Sequence, residues 1–330
     1  MAAPMPADDS LLSYSLALAG ALWVALAIDR WLGEPRAYLH PVVWMGKYLG
    51  WIGLSAAPLH HQAKPVDLPA FLIGALTWCI GAMAVWGVAS ALQGAIVRWL
   101  PAWAVAVLLG LLFKPLFAWR MLRDEVLAVE DALAVSLDAG RAQLSRLVSR
   151  DVAELGEREV RESAIESLAE NLNDSLVAPV FWFVLFGLPG AAIYRFANTA
   201  DAMWGYRGER GGRDWTWFGK WAARADDVLS WVPARITALL LALAALRWPA
   251  RLAEEARRTP SPNSGWPMAA MALLLGVRLA KPGVYALNAE GRAVAAADTR
   301  RAAQLGARAV LAWAMCASVV IVAVLGVTWE

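Results

Sequence analysis

At 330 residues the chain has room for one large or two modest domains. It is 59% hydrophobic and 18% charged, with 19 tryptophans, which is more apolar material than a soluble domain of this size needs for its core, so a bilayer is implied. The formal net charge of +2, with Lys and Arg spread through the polar segments, argues against nucleic acid as a partner.

The first apolar run, Leu11 to Ile28, follows Asp8 and Asp9 with no preceding Lys or Arg. It lacks the basic start of a cleavable signal peptide and reads as a retained span. Leu68 to Leu92 and Ala309 to Val327 also approach the roughly 20 apolar residues that a membrane helix needs. Ala102 to Ala118, with Lys114 and Pro115 near its end, is taken as a fourth span. Two further runs either span or re-enter: Leu176 to Ala197, interrupted by Gly187, Pro189 and Gly190, and Val232 to Leu246, of 15 residues. Broken apolar segments tend to mark a site, because irregular backbone survives at membrane depth only where protein or a water-filled cavity satisfies it. Cys79 and Cys316 fall inside apolar runs with no partners for a disulfide or metal site and read as small core residues.

Between Arg120 and Leu147, apolar residues at near-helical spacing, among them Val126, Leu133 and Leu144, predict amphipathic surface helices. Thr259 to Pro267 is a loop by its proline and glycine content. If the two doubtful runs re-enter, residues 29–67 and 114–308, with four and twenty-five Lys/Arg, face one side and Arg98 alone the other. The positive-inside rule then makes the long polar middle cytoplasmic. If both span, Asn198 to Trp231 lies outside, which its five cations disfavour. The expected fold class is all-α: a polytopic integral membrane protein with four to six membrane helices, including the two re-entrant candidates, and amphipathic cytoplasmic helices. It is taken as one membrane domain over 1–330, with a cytoplasmic helical insertion at 119–175 and polar, cytoplasmic segments at 198–231 and 247–308.

The densest polar signal is Glu166 to Asp174, just ahead of the first broken run. On a straight helix Glu166, Glu170 and Asn173 or Asp174 share one face. Carboxylate and amide oxygens stacked in this way suit Mg²⁺, and the alternative is a solvated helix face. Asn198 and Asp201, one turn apart, follow the same run and either complete such a site or cap a helix start. Arg224, Asp226 and Asp227 lead to Arg235, and the planar fork of Arg suits phosphate, whereas an interfacial Arg beside a capping Asp is the plainer reading. Asp29 ends the first span, where an ionisable residue is a functional candidate unless it pairs with Arg30 or Arg36. His40 is held extended by Pro41, and Asn263 could present its amide from a rigid loop.

Asp29 to Pro35 with His40-Pro41-Val42, Arg150-Asp151, Glu166 to Pro179, Asn198 to Tyr206, Arg224 to Arg235, and Ser261 to Met271 with Gly276 to Leu279 stand in the order found in adenosylcobinamide-phosphate synthases. Over roughly Asp29 to Leu287 the chain resembles that family. Glu34 stands where Asp is usual and Ser175 where Gly is common, and Tyr285 to Asn288 is a loose version of the family's C-terminal motif.

The resemblance implies a cobalamin-biosynthesis ligase of the cell inner membrane, multi-pass and surrounded by lipid, with its active site facing the cytoplasm. Such an enzyme joins adenosylcobyric acid to aminopropanol or its O-phosphate by an amide bond, using ATP and Mg²⁺. On this reading Glu166, Glu170, Asp174 and Asp201 supply Mg²⁺ ligands or a base, assisted by Asn171 and Asn198. Asp29, His40, Tyr206, Arg224, Asp226, Arg235 and Asn263 then contact substrate. Two other classes compete: a Mg²⁺-dependent intramembrane prenyl- or phospho-transferase, and a corrinoid transporter or scaffold.

Overall fold

The computed structural model describes residues 7–62 and 64–327 and is helical through most of its length. The first apolar run forms α1 (Ala7–Trp31). His40 is extended, with φ −87° and ψ 114°, and Pro41 opens α2 (Pro41–Ala56), where its missing N–H leaves no bond unmade. This apolar helix was absent from the sequence expectation. The Asp67 side chain caps α3 (Leu68–Trp99) by accepting from the Ala70 N–H at 3.0 Å. Only 28% of the apolar window of α3 is buried within the protein, so Leu72, Leu76 and Met83 are left for lipid.

Helix α4 (Ala102–Phe113) packs on α1 through small residues that let the backbones approach. A methyl on Gly110 would lie 2.7 Å from Val24, and one on Gly20 would lie 3.2 Å from Ala106. A 3₁₀ turn, Lys114–Leu116, leads to the two expected amphipathic helices, α5 (Trp119–Leu133) and α6 (Leu137–Leu144).

Then α7 (Glu157–Leu172), a π turn (Asn173–Val177) and α8 (Ala178–Trp204) follow without a gap. The helix breaks at Gly187, with φ 65° and ψ −150°, where the sequence is interrupted. Gln93 Oε1 accepts from the Leu188 N–H at 2.7 Å, so a side chain satisfies the freed backbone group.

Beyond α8, a short hairpin of β1 (Glu209–Arg210) and β2 (Arg213–Asp214) precedes α9 (Lys220–Leu229), α10 (Trp231–Ala244) and α11 (Leu252–Ala256). α12 (Gly265–Leu275) takes Gly265 to Pro267 into its first turn, shortening the loop expected there, because a proline in a first turn forfeits no intrahelical bond. Antiparallel β3 (Leu279–Lys281) and β4 (Tyr285–Leu287) pair Lys281 with Tyr285, and α13 (Ala296–Val327) ends the described chain.

Among the described residues, five helical runs are long and apolar enough to cross a membrane, or six if the bent pair α9–α10 counts as one. The all-α, polytopic membrane class is therefore the one observed, with two small hairpins added. Cys316 is exposed on α13 and Cys79 is half-buried, so the core reading of the cysteines is corrected. Both are free thiols, and the apolar run around Cys316 turns that residue outward on a membrane helix.

The chain sorts into two compact units. One comprises residues up to Phe117, Pro179–Leu229 and the end of α13 from Ala317, with a core built on Leu49, Phe196, Trp204 and Phe218. The other comprises Ala118–Ala178 and Ser230–Cys316. At its centre Ala164, Ile165, Leu168 and Ala169 of α7 pack among the buried residues of α12.

Candidate active site

Helix α7 is buried through its middle turns, which is unusual for a segment carrying seven ionisable side chains, and Glu162, Ser163, Glu166 and Ser167 are enclosed with its apolar residues. Buried charge is tolerated only when paired. Glu162 is paired: it accepts from Arg158 at 2.7 Å and from the Ala280 N–H of β3 at 3.0 Å. Glu166, one turn on, faces Arg150, whose Nη2 lies 3.6 Å from its Oε2 and also donates to Ser163 Oγ. The Tyr285 phenol on β4 stands near the same carboxylate, and its hydroxyl lies 3.8 Å from Met268 Sδ. Burial, with the Glu166 charge beside it, holds the Tyr285 phenol well above its ordinary range, so it remains a donor.

This pair is incomplete. Glu166 Oε1 and Arg150 Nε are both buried without a hydrogen-bond partner. One unused acceptor and one unused donor thus sit within a single ion pair, an exception to the rule that buried polar groups are hydrogen-bonded.

Glu166 and Glu170 keep the expected i, i+4 spacing within α7, whereas the wider π turn that begins at Asn173 displaces Asp174 from the α-helical register. Glu166 is buried, Glu170 exposed and Asp174 half-buried. Asn173 donates to Asp174 Oδ1 at 2.7 Å and accepts from Thr237 of α10 at 3.1 Å, which fixes the turn. Asn171 donates to the Ser167 carbonyl at 2.9 Å, so its amide serves its own helix. In the same unit the Arg235 guanidinium lies between the Trp231 and Trp266 rings, 4.2 and 4.8 Å from their centroids. It donates to Asn263 Oδ1 at 3.1 Å, to the Trp231 carbonyl at 2.7 Å and to the Pro262 carbonyl at 3.2 Å. That geometry clamps the Ser261–Pro267 segment.

The remaining candidates lie in the other unit. Asn198 and Asp201 sit in the last two turns of α8, so neither caps a helix start, because the helix runs unbroken from Gly187 to Trp204. Asn198 reaches Asp226 at 3.5 Å, Arg224 pairs with Asp227 at 3.3 Å, and Tyr206 lies under the Arg210 guanidinium at 3.8 Å. Asp29 and His40 are brought together through residues that the sequence reading gave no role. Lys114 Nζ lies 3.2 Å from Asp29 and 2.8 Å from Glu34, and Glu34 lies 3.2 Å from His40. Burial alone would raise the Glu34 carboxyl, but hydrogen bonds from His40 and Lys114 outweigh it and hold the group below its usual range. Asp29 therefore pairs with Lys114, not with the neighbouring Arg30 or Arg36 that sequence proximity suggested.

Comparison with known proteins gives the wider frame. The family model described as CobD/Cbib protein matches residues 22–325. The chain belongs to the CobD/Cbib family. It is 39% identical to a probable cobalamin biosynthesis protein CobD of Methanothermobacter thermautotrophicus, over 81% of this chain and 86% of the relative. It is 43% identical to that of Thermococcus kodakarensis, over 79% and 82%, and 37% identical to the cobalamin biosynthesis protein CobD of Brucella suis, over 88% and 91%. No solved structure matches.

In this CobD/Cbib chain, Mg²⁺ must be weighed against the donors present. Among the described residues, no three His, Cys, Asp or Glu side chains come together as a metal site, so a cage of protein carboxylates is not formed. Mg²⁺ bound chiefly through substrate phosphates and water needs only one or two carboxylates. Exposed Glu170 and half-buried Asp174 have the chemistry for that lesser role. Sequence reasoning gave no role to Arg150, Tyr285, Glu34 or Lys114. Lys114 carried a usable signal, since a lysine inside an apolar run demands an acidic partner. Arg150 and Tyr285 stand in family-like motifs, but only the folded chain sets them beside Glu166.

Proposed function

We propose that the chain catalyses ATP-dependent amide formation between a carboxylate of adenosylcobyric acid and (R)-1-aminopropan-2-ol or its O-phosphate, at the cytoplasmic face of the inner membrane. Membership of a cobalamin-biosynthesis family supports the pathway. The observation that carries the chemistry is the unused pair, Arg150 Nε as donor and Glu166 Oε1 as acceptor. Amide synthesis presents one anionic oxygen and one N–H to a site at the same moment, which is what such a pair accepts.

The carboxylate oxygen of the acid attacks the terminal phosphorus of ATP, and ADP leaves. The amine nitrogen then attacks the acyl carbon, the bond from carbon to the phosphate oxygen breaks, and phosphate departs. Arg150 holds the anionic oxygen, and Glu166 takes the proton that the nitrogen sheds. The Tyr285 phenol stands beside the Glu166 carboxylate. Mg²⁺, when bound, supplies positive charge to the phosphoryl oxygens, and Glu170 and Asp174 are the residues assigned to hold it.

A corrinoid-auxotrophic deletion strain tests this reading. Cobinamide restores growth and cobyric acid does not, while a plasmid copy of the chain restores use of both. Growth of the deletion strain on cobyric acid as good as on cobinamide overturns the assignment. Pyrophosphate release from a prenyl donor would identify the transferase alternative instead.

A further inference from the structure

The unit that contains α1 to α4 holds a cavity of about 680 Å³ that the proposed chemistry does not use. That volume lies within the range of about 300–1,000 Å³ typical of small-molecule sites. Its shape follows from α3, which lines it with a single stripe from Ile80 to Leu92, at alternating steps of one and three residues. Such spacing is one helix face, and at a rise of about 1.5 Å per residue it runs for about 18 Å along a membrane helix. Trp44 of α2 and Phe196 of α8 contribute to the other walls. The cavity is therefore a long, narrow, apolar groove following the axis of a membrane-crossing helix.

Charge appears at one end only. Glu34 and Lys114 line the groove there, and they bond to one another at 2.8 Å. The groove interior thus offers hydrocarbon and, at this end, the Lys114 ammonium that Glu34 and Asp29 share. A corrinoid edged with amides, or a nucleotide, would leave its polar groups facing hydrocarbon, at a cost of roughly 1–3 kcal/mol for each unpaired group. Outside the same end, Arg30 and Arg36 bracket the lining segment Leu32–Pro35. Both are exposed, and neither forms an ion pair among the described residues. The mouth is cationic and the body apolar.

We propose that this groove is a binding site for one anionic phospholipid of the surrounding bilayer, with an acyl chain along α3 from Ile80 to Leu92 and the phosphate at Arg30 and Arg36. The class of ligand follows from the elongated apolar wall, the cationic mouth and the apolar spans on which both stand. A zwitterionic phospholipid with the same chains shares the wall contacts but carries no net charge to the mouth.

The test uses the full chain, purified in mild detergent, stripped of lipid, and incubated with phosphatidylglycerol or phosphatidylcholine of identical acyl chains. Retained lipid is counted by mass spectrometry. The wild type is expected to retain phosphatidylglycerol about tenfold more tightly than phosphatidylcholine, and Ala84→Trp, which fills the exposed side of the groove, to lower retention of both about tenfold. Arg30→Gln with Arg36→Gln removes the preference for the anionic lipid and leaves retention of the chain. Val88→Trp provides a second groove-filling variant, and the melting temperature of each variant checks its fold. Equal retention of the two lipids by the wild type overturns the proposal, as does unchanged retention in both folded Trp variants. Loss of adenosylcobyric acid binding in those variants without loss of lipid also overturns it, by identifying the groove as a substrate site.

Discussion

Glu166→Gln is expected to lower amide formation by about 10²–10⁴-fold, the range for removal of a positioned acid or base, while the protein accumulates in membranes at the normal level. The substitution preserves shape and hydrogen-bonding capacity but removes the charge that faces Arg150 and the basic oxygen left unused at the centre of α7. An amide of the same shape still faces Arg150, so the local fold survives, whereas it cannot take a proton from the attacking nitrogen. The effect falls on turnover more than on the Michaelis constant, because the interaction is made in the transition state. Steady-state rates with saturating acid, amine and ATP read this directly. A rate within about threefold of wild type would remove Glu166 from the chemistry and leave it a buried structural charge.

Lys114→Met is expected to destabilise the fold by about 3–5 kcal/mol, the cost of breaking a buried ion pair from one side. The ammonium is 2% exposed, and its removal leaves the Asp29 carboxylate, 3% exposed, and Glu34 without the cation that both share. Lys114 also donates to the Phe117 carbonyl at 3.2 Å, so the turn after α4 loses a tie as well. Denaturant or thermal unfolding in detergent measures the loss, and adding Glu34→Gln to Lys114→Met should recover part of it. The same network has a pH signature. Glu34 is held below its ordinary range, so its contribution is fully present above that range and is lost as pH falls through the lowered value. A Lys114→Met protein as stable as wild type would mean that the carboxylates find other cations.

Membrane helices were the most legible part of the sequence, because a length requirement and an apolar run fix them together. The interruptions at Gly187 and Pro189 gave the break in α8 at its observed place. α2 was missed because its 16 residues fall short of a span and follow a loop rich in charge and proline. The hairpins were missed because strands of two or three residues leave no periodicity to read. For the candidate site, the motif Glu166 to Asp174 drew attention to α7, while the π turn at its end was not legible. A straight α-helix was assumed, and the π turn at Asn173 belongs to the tertiary fold, where Thr237 of α10 bonds Asn173. Arg235 and Asn263 were both selected, and they meet each other directly. Arg150 and Tyr285, 135 positions apart in the chain, could reach Glu166 only through folding.

The central claim is that this membrane protein makes the corrinoid amide itself. Purified protein in detergent or nanodiscs, given adenosylcobyric acid, ATP, Mg²⁺ and either aminopropanol or its O-phosphate, measures that claim most directly. The prediction is one ADP and one phosphate released for each cobinamide-type product, with product formation abolished when either the acid or ATP is omitted. ATP hydrolysis without corrinoid amide, or no product from either form of the amine by a folded protein, would contradict it.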